Sequence, residues 1–266
     1  MSATNADPHD QAAAAPPGPR HWLAVAGLVL VLASLLPPVD ILARRYVFAE
    51  SIQFTVFAMA GPALIVLGAP WRFLRLSGLA GRVAADHQAR PSILRSAFVL
   101  AAFLVVCLCW RVVPVMDALS RQPVLVPLEA VTLLVAGTAL WLELVNSPPV
   151  APRLPRPQRA LIAALAMWST WAVAYVLGFS IHGVFSAYDA AGSGLSAVAD
   201  QEITVGLVWA VAAFSFIPVV IVTMLGWLTG GDDPDEEFQR VFRDNADRAA
   251  VRGWGGRRPT ARPGSR

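Results

Sequence analysis

Six apolar stretches, each about as long as a bilayer hydrocarbon core is thick, take up most of this chain and decide what solvent it folds in. They cover residues 22–39, 51–70, 93–114, 123–145, 160–180 and 203–228. No water reaches backbone groups in the bilayer core, so each stretch must pair its own N–H and C=O groups, which a helix does. The expectation is an all-α, polytopic membrane bundle of six transmembrane helices. Composition agrees: 56% of residues are hydrophobic, 15% are charged, and the mean hydropathy is +0.56. Soluble core helices rarely run so long without charges.

Orientation follows from the positive charges. The chain has no lysine, so all 21 basic residues are arginines. Arg72, Arg75, Arg82, Arg90 and Arg95 lie in or beside the loop between the second and third runs, and Arg153, Arg156 and Arg159 between the fourth and fifth. Eight more follow the sixth run, from Arg240 to Arg266. These segments alternate correctly to share one side, and the positive-inside rule makes that side the cytoplasm. The opposite loops hold only Arg44, Arg45, Arg111 and Arg121, and residues 181–202 carry Asp189, Asp200 and Glu202 but no arginine. Both termini are therefore expected in the cytoplasm. The net charge of +3 reflects this asymmetry, and no nucleic-acid partner is called for.

Three regions are expected along the chain. Residues 1–21, with Pro16, Pro17 and Pro19, read as a disordered lead-in without the pattern of a cleaved signal peptide. Residues 22–230 form the membrane domain. Residues 231–266 form a cytoplasmic tail, with a short helix after Asp232-Asp233-Pro234 striped by Phe238, Val241 and Phe242, then disorder. No internal repeat supports an inverted-repeat transporter.

The polar residues at the outer helix ends are the candidate site. Glu50 and Gln53 are three residues apart on one helix face. Asp117 follows the third run, His182 the fifth, and Asp200-Gln201 precedes the sixth. Glu129 lies about two turns inside the fourth helix, where a charge is costly unless paired or protonated, and an ionisable group there is a functional candidate. For Glu50 and Asp200, capping at a helix N-terminus is the competing reading. Arg111 is the candidate cation for Glu129, and a protonated Glu129 could donate to Gln53. Gly137 and Gly61 leave room for neighbouring helices, while Trp168, Trp171 and Tyr175 share a face.

Cys107 and Cys109 point about 200° apart around a regular helix. They read as small buried apolar residues, or as soft Cu(I) ligands if the helix unwinds before Trp110. Met116 and His182 complete the metal candidates, and Met59, Met167 and Met224 the remaining thioethers of the membrane domain. No nucleophile, base and orienting group come together, so no enzyme is expected.

The order of motifs resembles the CtaG-like cytochrome c oxidase assembly factors. Glu50-Ser-Ile-Gln53-Phe54, Gly61-Pro62-Ala63-Leu64 and Leu67-Gly-Ala-Pro-Trp71-Arg72 carry the first part. Trp110-Arg-Val-Val-Pro114, Asp117-Ala-Leu119, Glu129-Ala-Val-Thr-Leu-Leu-Val-Ala-Gly137 and Trp141-Leu-Glu143 carry the middle. Met167-Trp168, Tyr175, Gly178-Phe-Ser180 and Asp200-Gln201 leading to Trp209 close it. The resemblance covers residues 22–230. Where relatives commonly carry histidines, this chain has Glu50, Phe54, Arg111, Val112 and Ala130, and the family's usual first helix is missing. It looks like a six-helix, histidine-poor branch.

The resemblance implies a factor that helps build a haem–copper oxidase in a bacterial inner membrane, as scaffold or metallochaperone during copper-centre maturation. Its implied partners are oxidase subunits or assembly intermediates and the lipid bilayer, with copper at most transient. Two alternatives stay open: a copper or small-solute transporter, and a structural subunit of the mature oxidase.

Overall fold

The computed structural model describes residues 20–71, 75–89, 92–178, 185, 188 and 194–229. Among them the chain is helical and no strand is present. The helices are α1 His21–Ser34, α2 Val39–Ala43, α3 Val47–Leu67, α4 Ser77–Ala89, α5 Ile93–Arg111, α6 Val113–Arg121, α7 Leu125–Leu144, α8 Arg156–Gly178 and α9 Ala197–Thr229. Helices α3, α5, α7, α8 and α9 are long and apolar enough to cross a bilayer. Their outer faces expose Phe98, Val105, Val131, Val135, Phe214 and Val222, which lipid can cover. The chain is a helical membrane bundle. The expected short helix after Asp232 falls outside the described residues.

The first apolar run differs in length from the rest. Its helix α1 has 14 residues, about 21 Å against a core of about 30 Å. It runs antiparallel along α3 over a ladder of small residues. A Cβ on Gly27 would sit 2.9 Å from Gly61 O, one on Gly61 2.6 Å from Val31 Cγ2, and one on Gly68 would strike the Ala24 backbone. Close backbone approach of this kind is how small residues drive packing in lipid.

Helix α3 is the most buried of the spans and touches α1, α7 and α9. Pro62 interrupts its hydrogen-bond ladder, because proline has no N–H for the Ala58 carbonyl. The helix absorbs the break as a π turn over Val56–Ala60. Gly137 of α7 packs against that freed carbonyl: a Cβ there would strike Ala58 O and lie 2.7 Å from Pro62 Cγ. The expectation that Gly137 faces another helix holds.

Two helices lie where the sequence reading placed loops or a continued span. The third run is not one helix to residue 114: α5 stops at Arg111, Val112 is extended (ψ 140°), and Pro114 sits in the first turn of α6. Proline cannot donate to the Trp110 carbonyl, so the chain restarts. Helix α6 then covers the bundle end, burying Met116 and Leu119. Helix α4 occupies the arginine-bearing loop. Its buried positions are Ala80, Ala84 and His87, a helical stripe too small and too polar to register as an apolar run.

Two cross-chain caps tie the ends together. Asp200 of α9 accepts from the backbone N–H groups of Val47 and Phe48, both at 2.8 Å. Those are among the donors that an α-helix leaves unpaired at its start. At the opposite end Arg156 Nη1 donates to Gly226 O in the last turn of α9 at 2.5 Å. Each charge has the sign that the helix dipole favours.

Candidate functional site

The starts of α3, α7 and α9 and the end of α5 meet at one end of the bundle. Glu50 lies in the first turn of α3 and Glu129 in the second turn of α7, both fully buried. Arg111 ends α5 and turns inward because the break at Val112 releases it from a continuing helix. Its Nη1 donates to Glu50 Oε2 at 2.6 Å, its guanidinium lies 4.0 Å from the Phe54 ring centroid, and Met116 Sδ is 3.8 Å from Nη1. The Glu50 and Glu129 carboxyls face one another.

Two carboxyls therefore share one guanidinium. Like unit charges about 4 Å apart repel by roughly 4 kcal/mol even at an effective dielectric of about 20. The Arg111 guanidinium is the cation that offsets this repulsion. Yet the hydrogen bonding of the group stays incomplete. Glu50 Oε1, both Glu129 oxygens, Arg111 Nη2 and the Tyr188 hydroxyl are buried without a hydrogen-bond partner. Tyr188 packs beside them with Val47, Met116 and Phe185. Burial, and then the nearby Glu50 carboxyl, push its phenol up from the ordinary tyrosine value.

The remaining candidates take separate places at this same end. Gln53 Nε2 donates to Ser34 O of α1 at 2.5 Å, so the expected bond from Glu129 to Gln53 is not made. Gln53 and Glu129 lie on different sides of α3, and the α1 carbonyl captures the amide. Arg111, expected to pair with Glu129, bonds Glu50 instead. Asp200 caps α3 rather than joining the carboxyl pair, and Gln201 is buried next to it in sequence. Asp117 is half-buried on α6 and within electrostatic reach of Tyr188. His182 lies outside the described residues.

The opposite end holds a second network that the sequence reading missed. Glu143 at the end of α7 accepts from Ser96 Oγ at 2.8 Å, pairs with Arg153 Nε at 3.2 Å, and lies 3.7 Å from His87 Nε2. His87 Nδ1 contacts Ala151 O at 3.0 Å. Arg153 and Arg95 both bond Asp86 at 3.1 Å. Trp71 Nε1 reaches Ser147 O at 3.2 Å and its Oγ at 3.0 Å. Glu143 has three polar neighbours, whereas Glu129 has the Glu50 carboxyl facing it and the charge of Arg111 nearby. The signal was available in the spacing Asp86-His87 and in Glu143, but partners from four segments are invisible to a local pattern.

The two networks are not joined. Glu129 and Glu143 are separated by about 21 Å of α7. Between them Phe57, Leu133, Leu140 and Phe216 are completely buried, with Trp141 stacked on Phe216 at 5.5 Å. Thr132, Thr170 and Thr223 turn their hydroxyls to their own helix backbones. The described residues do not assemble a soft-ligand copper site. Among the described residues no three His, Cys, Asp or Glu side chains gather as a metal-binding group. Cys107 is half-buried and Cys109 exposed on a regular helix. The carboxylate oxygens at hand are hard ligands, unlike those Cu(I) selects.

A family profile described as cytochrome c oxidase caa3 assembly factor matches residues 5–230, the N-terminal segment and the whole bundle together. No curated protein and no solved structure matches the chain at a significant level.

Proposed function

Because the chain belongs to the cytochrome c oxidase caa3 assembly factor family, we propose that it serves oxidase biogenesis as a non-catalytic scaffold with Glu50, Arg111 and Glu129 as its working centre. The observation that carries this is the contrast between its two polar clusters. A buried polar atom without a partner costs about 1–3 kcal/mol. The Glu143 cluster is woven through four segments and holds the bundle together. In the Glu50 cluster, beyond the bond that the two carboxyls can share, Arg111 Nη2 and the Tyr188 hydroxyl stay buried without a partner, which serves no purpose in holding the fold. Such atoms suit the recognition of an oxidase subunit or assembly intermediate at that end.

In this reading the arginine-rich Glu143 end faces the cytoplasm of a bacterial inner membrane and the Glu50 end the outer side, as the asymmetry of positive charge supports. That is where a partner's copper centre would be completed. With hard, charge-balanced oxygens and divergent thiols on this chain, copper passes transiently or stays with the partner. The buried apolar layer between the clusters argues against a transport path.

The test is oxidase activity in a complemented deletion strain, with protein abundance checked alongside. Glu129→Gln is expected to keep activity, because the amide still donates toward Glu50. Glu129→Leu is expected to lose it at normal abundance. Cys107→Ser with Cys109→Ser should be silent, and added copper should not restore the deletion. Rescue by copper would favour metal supply or transport instead. Stoichiometric co-purification with active oxidase, rather than with immature forms, would make the protein a subunit.

A further inference from the structure

Helix α4 connects two membrane spans, and residues 90–92 alone separate it from α5. That span opens with Leu94 and Phe98, 77% and 73% exposed, on a face for lipid to cover. Ala80 and Ala84 of α4 belong to the same apolar core as the spans. The helix therefore lies along the bundle near the depth where α5 enters the membrane.

Its surface divides by angle. At about 100° per residue, Ala80, Ala84 and His87 share one face, and all three are buried. Leu76 and Leu79 lie on the flank beside it, 39% and 52% exposed, with Val83 half-buried between them and the core. Arg82 lies beyond Leu79, away from the bundle. The other flank has only Ser77, Gly81 and Ala85. This order suits a helix in the membrane surface, with one side on protein, leucines in the acyl boundary and arginine among headgroups.

The arginines near α4 fall into two kinds. Arg95 and Arg153 are engaged by Asp86. Arg75 and Arg82 are exposed and form no ion pair with another described residue. Arg75 also holds a left-handed backbone, with φ 55°, which glycine adopts at less cost. An arginine kept in a strained position points to a use for its side chain.

We propose that α4 is a docking surface for anionic phospholipid of the adjacent leaflet, with Leu76 and Leu79 entering the acyl boundary and Arg75 and Arg82 pairing with the headgroups. Charge complementarity selects this occupant, because two unspent guanidiniums flank an apolar edge at the level of lipid phosphates. The same helix carries His87 and Asp86 into the Glu143 network, so the lipid steadies the element that closes that end. The proposal concerns binding by the chain itself and holds whether or not the scaffold reading does.

The test uses the full chain with Cys107→Ser and Cys109→Ser, in nanodiscs of mixed phosphatidylglycerol and phosphatidylcholine. A bimane dye is attached at Leu79→Cys, and one lipid or the other is brominated so that it quenches on contact. Quenching against mole fraction then gives the local preference between the two lipids, which should favour phosphatidylglycerol. Arg82→Gln and Arg75→Gly should each cut that preference about fivefold, one arginine's share of the attraction. Arg75→Gly also relieves the left-handed backbone, so its Tm should not fall. The dye at Gly81→Cys, on the other flank, should respond to aqueous iodide and to neither lipid. Equal quenching by the two lipids with both arginines in place overturns the proposal. So does a preference that survives both arginine variants at unchanged Tm. Quenching of the Leu79 site by iodide alone would place that flank in water, and shielding from lipid and iodide alike would place it under protein. Either result overturns the proposal as well.

Discussion

Arg111 does more at the residue scale than any other side chain here, because one guanidinium offsets two buried carboxyls. Removing it leaves Glu50 buried and unpaired. Arg111→Leu is therefore expected to lower stability by about 3–5 kcal/mol, and adding Glu50→Leu should recover much of the loss. Thermal unfolding of the single and double variants in one detergent checks this. A double variant no more stable than the single would show that the pair does not act as a unit. Tyr188 offers a pH signature. Its phenol is held protonated in the fold, whereas in the unfolded chain it titrates near the ordinary value of about 10. Below that pH the contribution is complete. Above it the unfolded chain releases a proton that the fold retains, so stability falls as pH rises. Tyr188→Phe should flatten that alkaline slope, and an unchanged slope would place its source elsewhere.

At the scale of elements, glycines separate contact from open space. Gly137→Ala sets a methyl against the Ala58 carbonyl and the Pro62 ring, so the Tm and folded yield of the detergent-purified protein should drop. Gly81→Ala in α4 meets nothing within 4 Å and should be neutral or stabilise by up to about 1 kcal/mol through helix propensity. Equal effects at the two sites would remove the α3–α7 contact from the account. The long spans were legible in the sequence, because twenty apolar residues in a row have few other uses in lipid. Helix α4 was not, since alanines and a histidine make a weak stripe. The break at Val112 was written in Pro114, yet a single proline near a helix end does not say which way the chain turns. In the site, Glu129 stood out by depth alone. The pairing of Arg111 with Glu50 depends on how three helices pack, and no spacing in the chain encodes it. Asp200 could be read as a cap, but not as the cap of α3, which lies 153 residues away.

For the whole molecule, the alternating direction of the spans puts every residue of the Glu50 cluster on one side and the Glu143 cluster on the other. In a Cys107→Ser, Cys109→Ser background, single cysteines at Ser120 and Gly78 should react with an impermeant maleimide from opposite sides. Ser120 should be accessible in intact cells and Gly78 only after lysis. Reaction from the same side would overturn the orientation and with it the outward-facing working centre. A third cysteine at Arg20 should behave as Gly78 does if α1 completes a sixth crossing alongside α3.

The bond from Asp200 to the amides of Val47 and Phe48 also sets a schedule. Ribosomes deliver about 5–20 residues per second, so 153 residues take on the order of ten to thirty seconds to arrive. Throughout that interval α3 waits in the membrane with its leading amides bare, and Glu50 sits beside an unfinished wall. Of the spans described, α9 emerges after the others, and it is the one that seals the first polar turn. A chain halted before α9 is inserted would present an open centre, so the insertion of α9 completes it.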